Sequence, residues 1–323
     1  MTGQSRGRQA AKPGQIPKSG WKDILFRTKE EIGKDNLSIV AGGVAFYMLL
    51  AIFPAIGAMV AIYGLVADPG QIQQQVAALS HILPQQAMSI LQDQLSRLAA
   101  GAGGALSLGA LFGLLLALWS AAKGMKALIT GLNIVYDEED QRGFIKLNTI
   151  AIGLTLAAIL FAIVAIGFVV VFPAVLGFLG LSEVARVLTS VLRWPLLAVF
   201  GMSALALLYR YAPDRDEPQF RWVSWGAAAA IVLWLAASLL FSFYVKNFGS
   251  YNETYGSIGA VVILLMWFYI TAFTVLLGAE LNAEMEHQTA HDTTRGRPRA
   301  MGQRGAHVAD TLGETHAAIG DTK

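Results

Sequence analysis

The sequence predicts an all-α, polytopic membrane protein: six transmembrane helices with an amphipathic helical hairpin on the outer face. Three observations predict it. Charged residues make up 14% of the 323 and apolar residues 55%, whereas ordinary globular chains carry about 25% charge. That charge is too sparse to cover a water-facing surface. Second, the chain falls into six charge-free apolar intervals, bounded by Asp35 and Asp68, Arg97 and Lys123, Lys146 and Glu183, Arg193 and Arg210, Arg221 and Lys246, and Glu253 and Glu280. A helix crosses the hydrocarbon core with about 20 apolar residues. Third, Lys and Arg are distributed unevenly among the connecting segments.

Taken in order, residues 1–20 form a polar tail expected to be disordered. Trp21, Ile24, Leu25, Thr28 and Ile32 then make a helical stripe among Lys22, Arg27, Lys29 and Lys34, as an interfacial helix would. The membrane domain occupies 21–286, with spans expected at about 39–66, 101–122, 147–172, 189–209, 222–245 and 254–279. Pro54 should kink the first span. After the second, Met125, Leu128, Leu132 and Tyr136 form another stripe. The third interval holds 36 residues, too long for one straight crossing at 1.5 Å per residue. Pro173 is expected to break it, leaving 173–182 as an outer or re-entrant segment. The fourth interval holds 16 and must borrow from Thr189 to Leu192, which puts Arg193 in the outer part of the membrane. Residues 287–323 form a second polar tail, also expected to be disordered.

The hairpin is expected over 71–99. Ile72, Val76, Leu79 and Leu83 line one face, as do Met88, Leu91, Leu95 and Leu98. Pro84 suits the first turn of the second helix.

Orientation follows from basic residues. The N-terminal segment has eight, loop 123–146 four, loop 210–221 three and the C-terminal tail five, or 20 on one side against four on the other. The positive-inside rule places both termini in the cytoplasm.

Small residues carry the clearest packing signal. Ala105, Gly109, Gly113, Ala117 and Ala121 recur every four positions along the second span. Such a ridge lets a neighbouring helix approach closely. No span has an ionisable residue near its centre, which disfavours a proton relay or voltage sensor and suits a substrate with a long apolar part. At the outer edge, Arg193 and Lys246 are cations able to meet an anionic headgroup, with Tyr251 and Tyr255 able to touch it from the interface. Snorkelling explains the cations equally well.

An enzyme is not expected. There is no cysteine, no P-loop and no nucleophile elbow. His287 and His291 are four apart in a segment without an apolar framework to hold a metal. Asp137, Glu138, Glu139 and Asp140 are consecutive, so their carboxylates diverge. No cofactor, metal site or nucleic-acid partner is expected; the expected partners are membrane lipids and a lipid-like substrate.

Four stretches resemble a known family. They are Asp35 with Ala45-Phe46-Tyr47 through Phe53-Pro54; Trp119-Ser120-Ala121-Ala122-Lys123-Gly124; Gly131-Leu132-Asn133 through Tyr136-Asp137-Glu138-Glu139; and a C-terminal part. The last contains Tyr209-Arg210-Tyr211-Ala212-Pro213, Phe248-Gly249-Ser250-Tyr251-Asn252 with Tyr255-Gly256-Ser257, and Leu277-Gly278-Ala279-Glu280-Leu281-Asn282-Ala283-Glu284. Over residues 20–287 the chain resembles the YihY / virulence factor BrkB family of bacterial inner-membrane proteins. The resemblance implies a six-span protein of the cytoplasmic membrane. It marks Asp35, Lys123, Asn133, Asn252, Glu280 and Asn282 as motif polar residues. It further implies an envelope role, with transport or flipping of a lipid-like substrate as the first expectation and a non-transporting scaffold as the second. Members have also carried a ribonuclease label, for which these residues offer no metal site.

Overall fold

The computed structural model describes residues 6–64, 108–178, 183–247 and 257–315. Seven long helices lie among them: α1 (Lys18–Lys34), α2 (Leu37–Gly64), α3 (Leu108–Val135), α4 (Phe144–Phe178), α5 (Glu183–Tyr211), α6 (Phe220–Asn247) and α7 (Ser257–Glu286). A 3₁₀ turn at Pro13–Gln15 and the short α8 (His307–Asp310) complete the described helices. The described residues contain no strand beyond one bridge between Pro218 and Thr294. Helices α2 to α7 each hold a stretch long and apolar enough to cross a membrane. The all-α, six-span architecture therefore stands. The hairpin expected at 71–99 lies outside the described residues.

Several boundaries move. The third span does not break at Pro173, because α4 continues to Phe178. Proline removes one backbone donor, and an otherwise apolar run can carry the helix past it. The stripe after the second span is no separate element, since α3 runs unbroken from Leu108 to Val135. Pro54 and Pro195 both lie inside helices.

The larger correction concerns the tails. Residues 1–20 and 287–323 were expected to be disordered on composition alone, yet residues 6–20 and 287–315 take defined positions. Arg304, 4% exposed, donates to the carbonyls of Ala290, His291, Arg299 and Ala309. Arg8 donates to the carbonyls of His287 and Gly313. Arginine donors satisfy backbone acceptors here in place of a regular ladder.

The chain forms two compact units. One comprises Met1–Phe46, Ala127–Leu147 and Leu196–Lys323, the other Tyr47–Lys126 and Asn148–Pro195. In the second unit, Ala58, Leu118 and Ile159 are buried together, flanked by Leu114, Ala117, Leu156 and Ile163. Gly124 of α3 sits against α2, where an added Cβ would lie 3.0 Å from the Ala51 methyl and 3.3 Å from the Tyr47 carbonyl oxygen.

In the first unit, Ile24 and Met285 join Ala10, Ile16 and Trp222 in a buried cluster. The face of α1 that packs inward carries Gly20, Asp23, Ile24, Arg27 and Thr28, while Leu25 points outward. Asn36 takes a left-handed conformation (φ 50°) between α1 and α2, which asparagine tolerates better than most residues. Helices α6 and α7 approach closely at Gly226 and Gly278.

Candidate functional site

Polar and charged groups are buried where α7 ends. Glu280, Asn282, Glu284 and Glu286 are each at most 2% exposed. The ordered tail and α1 cover this helix end. Asn282 accepts from the Gly226 backbone N–H at 2.8 Å and donates to the Val223 carbonyl at 3.2 Å, which ties α7 to α6. Glu284 pairs with Arg27 of α1. Arg27 also donates to the Glu284 carbonyl at 3.0 Å and to Gln288 Oε1 at 2.9 Å. Glu286 pairs with Arg215 at 2.7 Å, both side chains fully buried. One Glu280 oxygen, Oε2, is buried without a hydrogen-bond partner among the described residues.

Other motif residues sit around this cluster. Asn133 bridges two loops: its carbonyl oxygen accepts from the Asp214 N–H at 2.8 Å, and its amide donates to Asp140 Oδ2 at 3.1 Å. Arg142 donates to that same Asp140 oxygen at 2.6 Å and to the Ala212 carbonyl. The hydrogen bond from Arg142, together with that from Asn133, holds the Asp140 carboxyl below the usual range. Lys123 is exposed. Asn252, Tyr251, Tyr255 and Ala105 lie outside the described residues.

Asp35 caps the C-terminus of α1. Burial, then the nearby Asp137 and Glu31 charges, push its carboxyl up to about 7, against about 3.9 in an unfolded chain. The folded state thus holds this proton more tightly. Its stabilising contribution is complete below about pH 3.9 and is lost as pH rises through about 7. Thermal unfolding in detergent should show Asp35→Asn gaining on the wild type between pH 5 and pH 8. Identical pH slopes in the two proteins would rule this out.

At the start of the loop between α3 and α4, three groups converge that sequence spacing separates. Asp137, His287 and His307 each place a ligand atom within 4.8 Å of the others. His291, four residues from His287, is not in the group, and no metal cluster was expected from the sequence. The signal was unreadable because the three positions come from a loop after α3, the end of α7 and α8.

The small-residue ridge is only partly in use. Ala117 and Ala121 pack inward, Ala121 at 4% exposure. At Gly113, however, an added Cβ would meet nothing within 4 Å among the described residues. Close approach falls instead at Gly124, Gly226 and Gly278, which the sequence reading did not single out as packing positions. The side-chain surroundings of Gly109 lie outside the description.

Arg193 lies in the apolar stretch Val191–Tyr211 of α5. Its Nη1 donates to the Val169 carbonyl of α4 at 3.1 Å, and its guanidinium lies 5.2 Å from the centre of the Trp194 ring. Among the described residues its buried Nε has no hydrogen-bond partner and no carboxylate pairs with it. Lys246 sits exposed in the last turn of α6.

Comparison with known proteins adds a family. Residues 28–303 match a family model described as virulence factor BrkB. The chain is 34% identical over 245 residues to a Bacillus subtilis protein, YfkH, whose name calls it ribonuclease-like, covering 74% of this chain and 86% of that one. It is 28% identical over 282 residues to a UPF0761 membrane protein of Photobacterium profundum, covering 85% and 84%. A UPF0761 membrane protein of Tolumonas auensis is 26% identical over 280 residues, covering 83% and 87%. No solved structure matches.

Proposed function

Because the chain belongs to the virulence factor BrkB family and is a membrane protein of six apolar helices, we propose that it moves an anionic, lipid-like substrate across the bacterial cytoplasmic membrane. Both termini face the cytoplasm in this reading. The count of 20 basic residues against four favours that side. Contact of Arg8 with the carbonyls of His287 and Gly313 favours both ends sharing one side.

The observation that carries the transport reading is Arg193. A cation inside an apolar span is costly unless it is paired. Among the described residues the guanidinium has a helix carbonyl and an aromatic face, and its buried Nε has no hydrogen-bond partner. An anionic headgroup would supply the missing acceptor, and the planar fork of arginine suits phosphate or carboxylate. The word ribonuclease in the name of the Bacillus relative belongs to that protein; no RNA cleavage is proposed for this chain.

The test is lipid movement in reconstituted vesicles. Wild type should translocate an anionic fluorescent lipid. Arg193→Ala should slow it at least about tenfold, the equivalent of one charge-assisted hydrogen bond. Arg193→Lys should recover only part, whereas a snorkelling role predicts full recovery. Inert wild-type protein, or unchanged rates in Arg193→Ala, would leave the non-transporting scaffold as the better reading.

A further inference from the structure

We infer that Asp137, His287 and His307 form a divalent transition-metal site that clasps the C-terminal tail to the loop after α3. This inference is independent of transport.

The donor set comes from three elements of one compact unit: the loop following α3, the end of α7, and α8. Two imidazoles and a carboxylate suit zinc and its borderline neighbours, and three protein ligands leave a coordination position for water. The ligand atoms lie within 4.8 Å of one another, while tetrahedral ligands about 2.1 Å from an ion would sit roughly 3.4 Å apart. Side-chain rotation can close that gap. The side chains of His307 and Asp137 are 48% and 52% exposed and already face each other at 3.6 Å.

The backbone holds this arrangement ready. Asp137 takes a left-handed conformation, φ 53°, which is uncommon for a residue with a side chain. Bonds from Asp137 N–H to the Ile134 carbonyl at 3.0 Å and from Glu138 N–H to the Asn133 carbonyl at 2.9 Å fix the turn. The His307 N–H donates to Glu138 Oε1 at 2.8 Å, which pins the start of α8 to the same loop. Behind His287, Glu284 Oε1 lies 3.3 Å from Nδ1, and Arg27 holds the other Glu284 oxygen. A carboxylate behind an imidazole is the usual outer support of a metal-binding histidine. It leaves Nε2, now 2.8 Å from the Thr311 hydroxyl, as the coordinating nitrogen. The two imidazole rings meet edge-on at 6.1 Å.

The experiment uses the full chain in detergent, without a polyhistidine tag, stripped with chelator and titrated with cobalt(II). One equivalent should bind and give the visible bands of low-coordinate cobalt, and zinc should displace it. His307→Gln alters an exposed side chain, so the fold should survive. It should weaken binding at least about 100-fold, the upper end of the effect of losing even an outer partner. Asp137→Asn should weaken it too, and His291→Gln should leave it unchanged. Zinc should slow tryptic cleavage at the exposed Arg295 in wild type but not in His307→Gln. Absence of saturable cobalt uptake would overturn the site. So would binding that survives His307→Gln with Asp137→Asn, or binding lost in His291→Gln alone.

Discussion

Gly226→Leu should leave almost no folded protein in the membrane fraction, and Gly226→Ala should lower the unfolding temperature sharply. A Cβ at this position would be driven into the Gly278 carbonyl oxygen and the Asn282 side chain. The reciprocal position is equally closed, since a Cβ on Gly278 would lie 2.6 Å from the Gly226 carbonyl oxygen and 2.7 Å from both the Ala230 methyl and the Tyr209 hydroxyl. Relief would require α6 and α7 to separate. That would break the Asn282 bonds to Gly226 and Val223. It would also disturb the Tyr209 hydroxyl's bond to the Val275 carbonyl and the Trp234 bond to Thr271. Overpacking a core costs about 1–3 kcal/mol where side chains can yield. Here the obstacle is backbone, and the whole stability of a domain is about 5–15 kcal/mol. Gly113→Leu is the control: the every-fourth-residue ridge predicts damage there, but among the described residues an added Cβ would meet nothing within 4 Å. Membrane abundance and thermal unfolding in detergent would check both. Wild-type stability in Gly226→Leu, or equal damage in Gly113→Leu, would refute the assignment.

The contrast between these glycines shows what the sequence could disclose. Gly109 and Gly113 share a helix, so their spacing is visible in a line of text. Gly226 and Gly278 lie on different helices, and their pairing exists only once α6 and α7 are side by side. The spans themselves were legible because hydrocarbon imposes a length and excludes charge, which any reader can count. The tails were not. Their order rests on single arginines, such as Arg8 and Arg304, donating to scattered carbonyls, a pattern without period. With the tails taken as disordered, Glu280, Glu284 and Glu286 had nothing to bury them. Glu280 and Glu284 lie one turn apart, and that shared face was the one available hint. Arg27, the partner of Glu284, sits more than 250 positions away.

Glu286→Ala should destabilise the protein by about 3–5 kcal/mol, the usual cost of stranding one member of a buried ion pair. Arg215 and Glu286 are both fully buried and joined by two bonds of 3.2 and 2.7 Å. Burial alone would lower the Arg215 pKa, but the Glu286 carboxylate more than offsets that and holds it above the ordinary value. The guanidinium also lies 4.8 Å from the centre of the Tyr136 ring, and its Nε has no partner among the described residues. It therefore has little spare pairing if the carboxylate leaves. Thr293 would lose its acceptor as well, since its hydroxyl donates to Glu286 Oε2 at 2.5 Å, and this would loosen the tail where it joins α7. Glu286→Gln keeps the shape and the Thr293 acceptor but not the charge, so it should recover only part. Replacing both partners, Arg215→Met with Glu286→Leu, removes the stranded cation and should recover most of the loss. The pair Lys34–Glu31 offers the comparison: Lys34 is 58% exposed, so Lys34→Ala should cost at most about 1 kcal/mol. Denaturant unfolding of the single and double variants would close the cycle. Additive single losses, with no recovery in the double variant, would show that the tail is held by its arginine–carbonyl bonds and not by this buried pair.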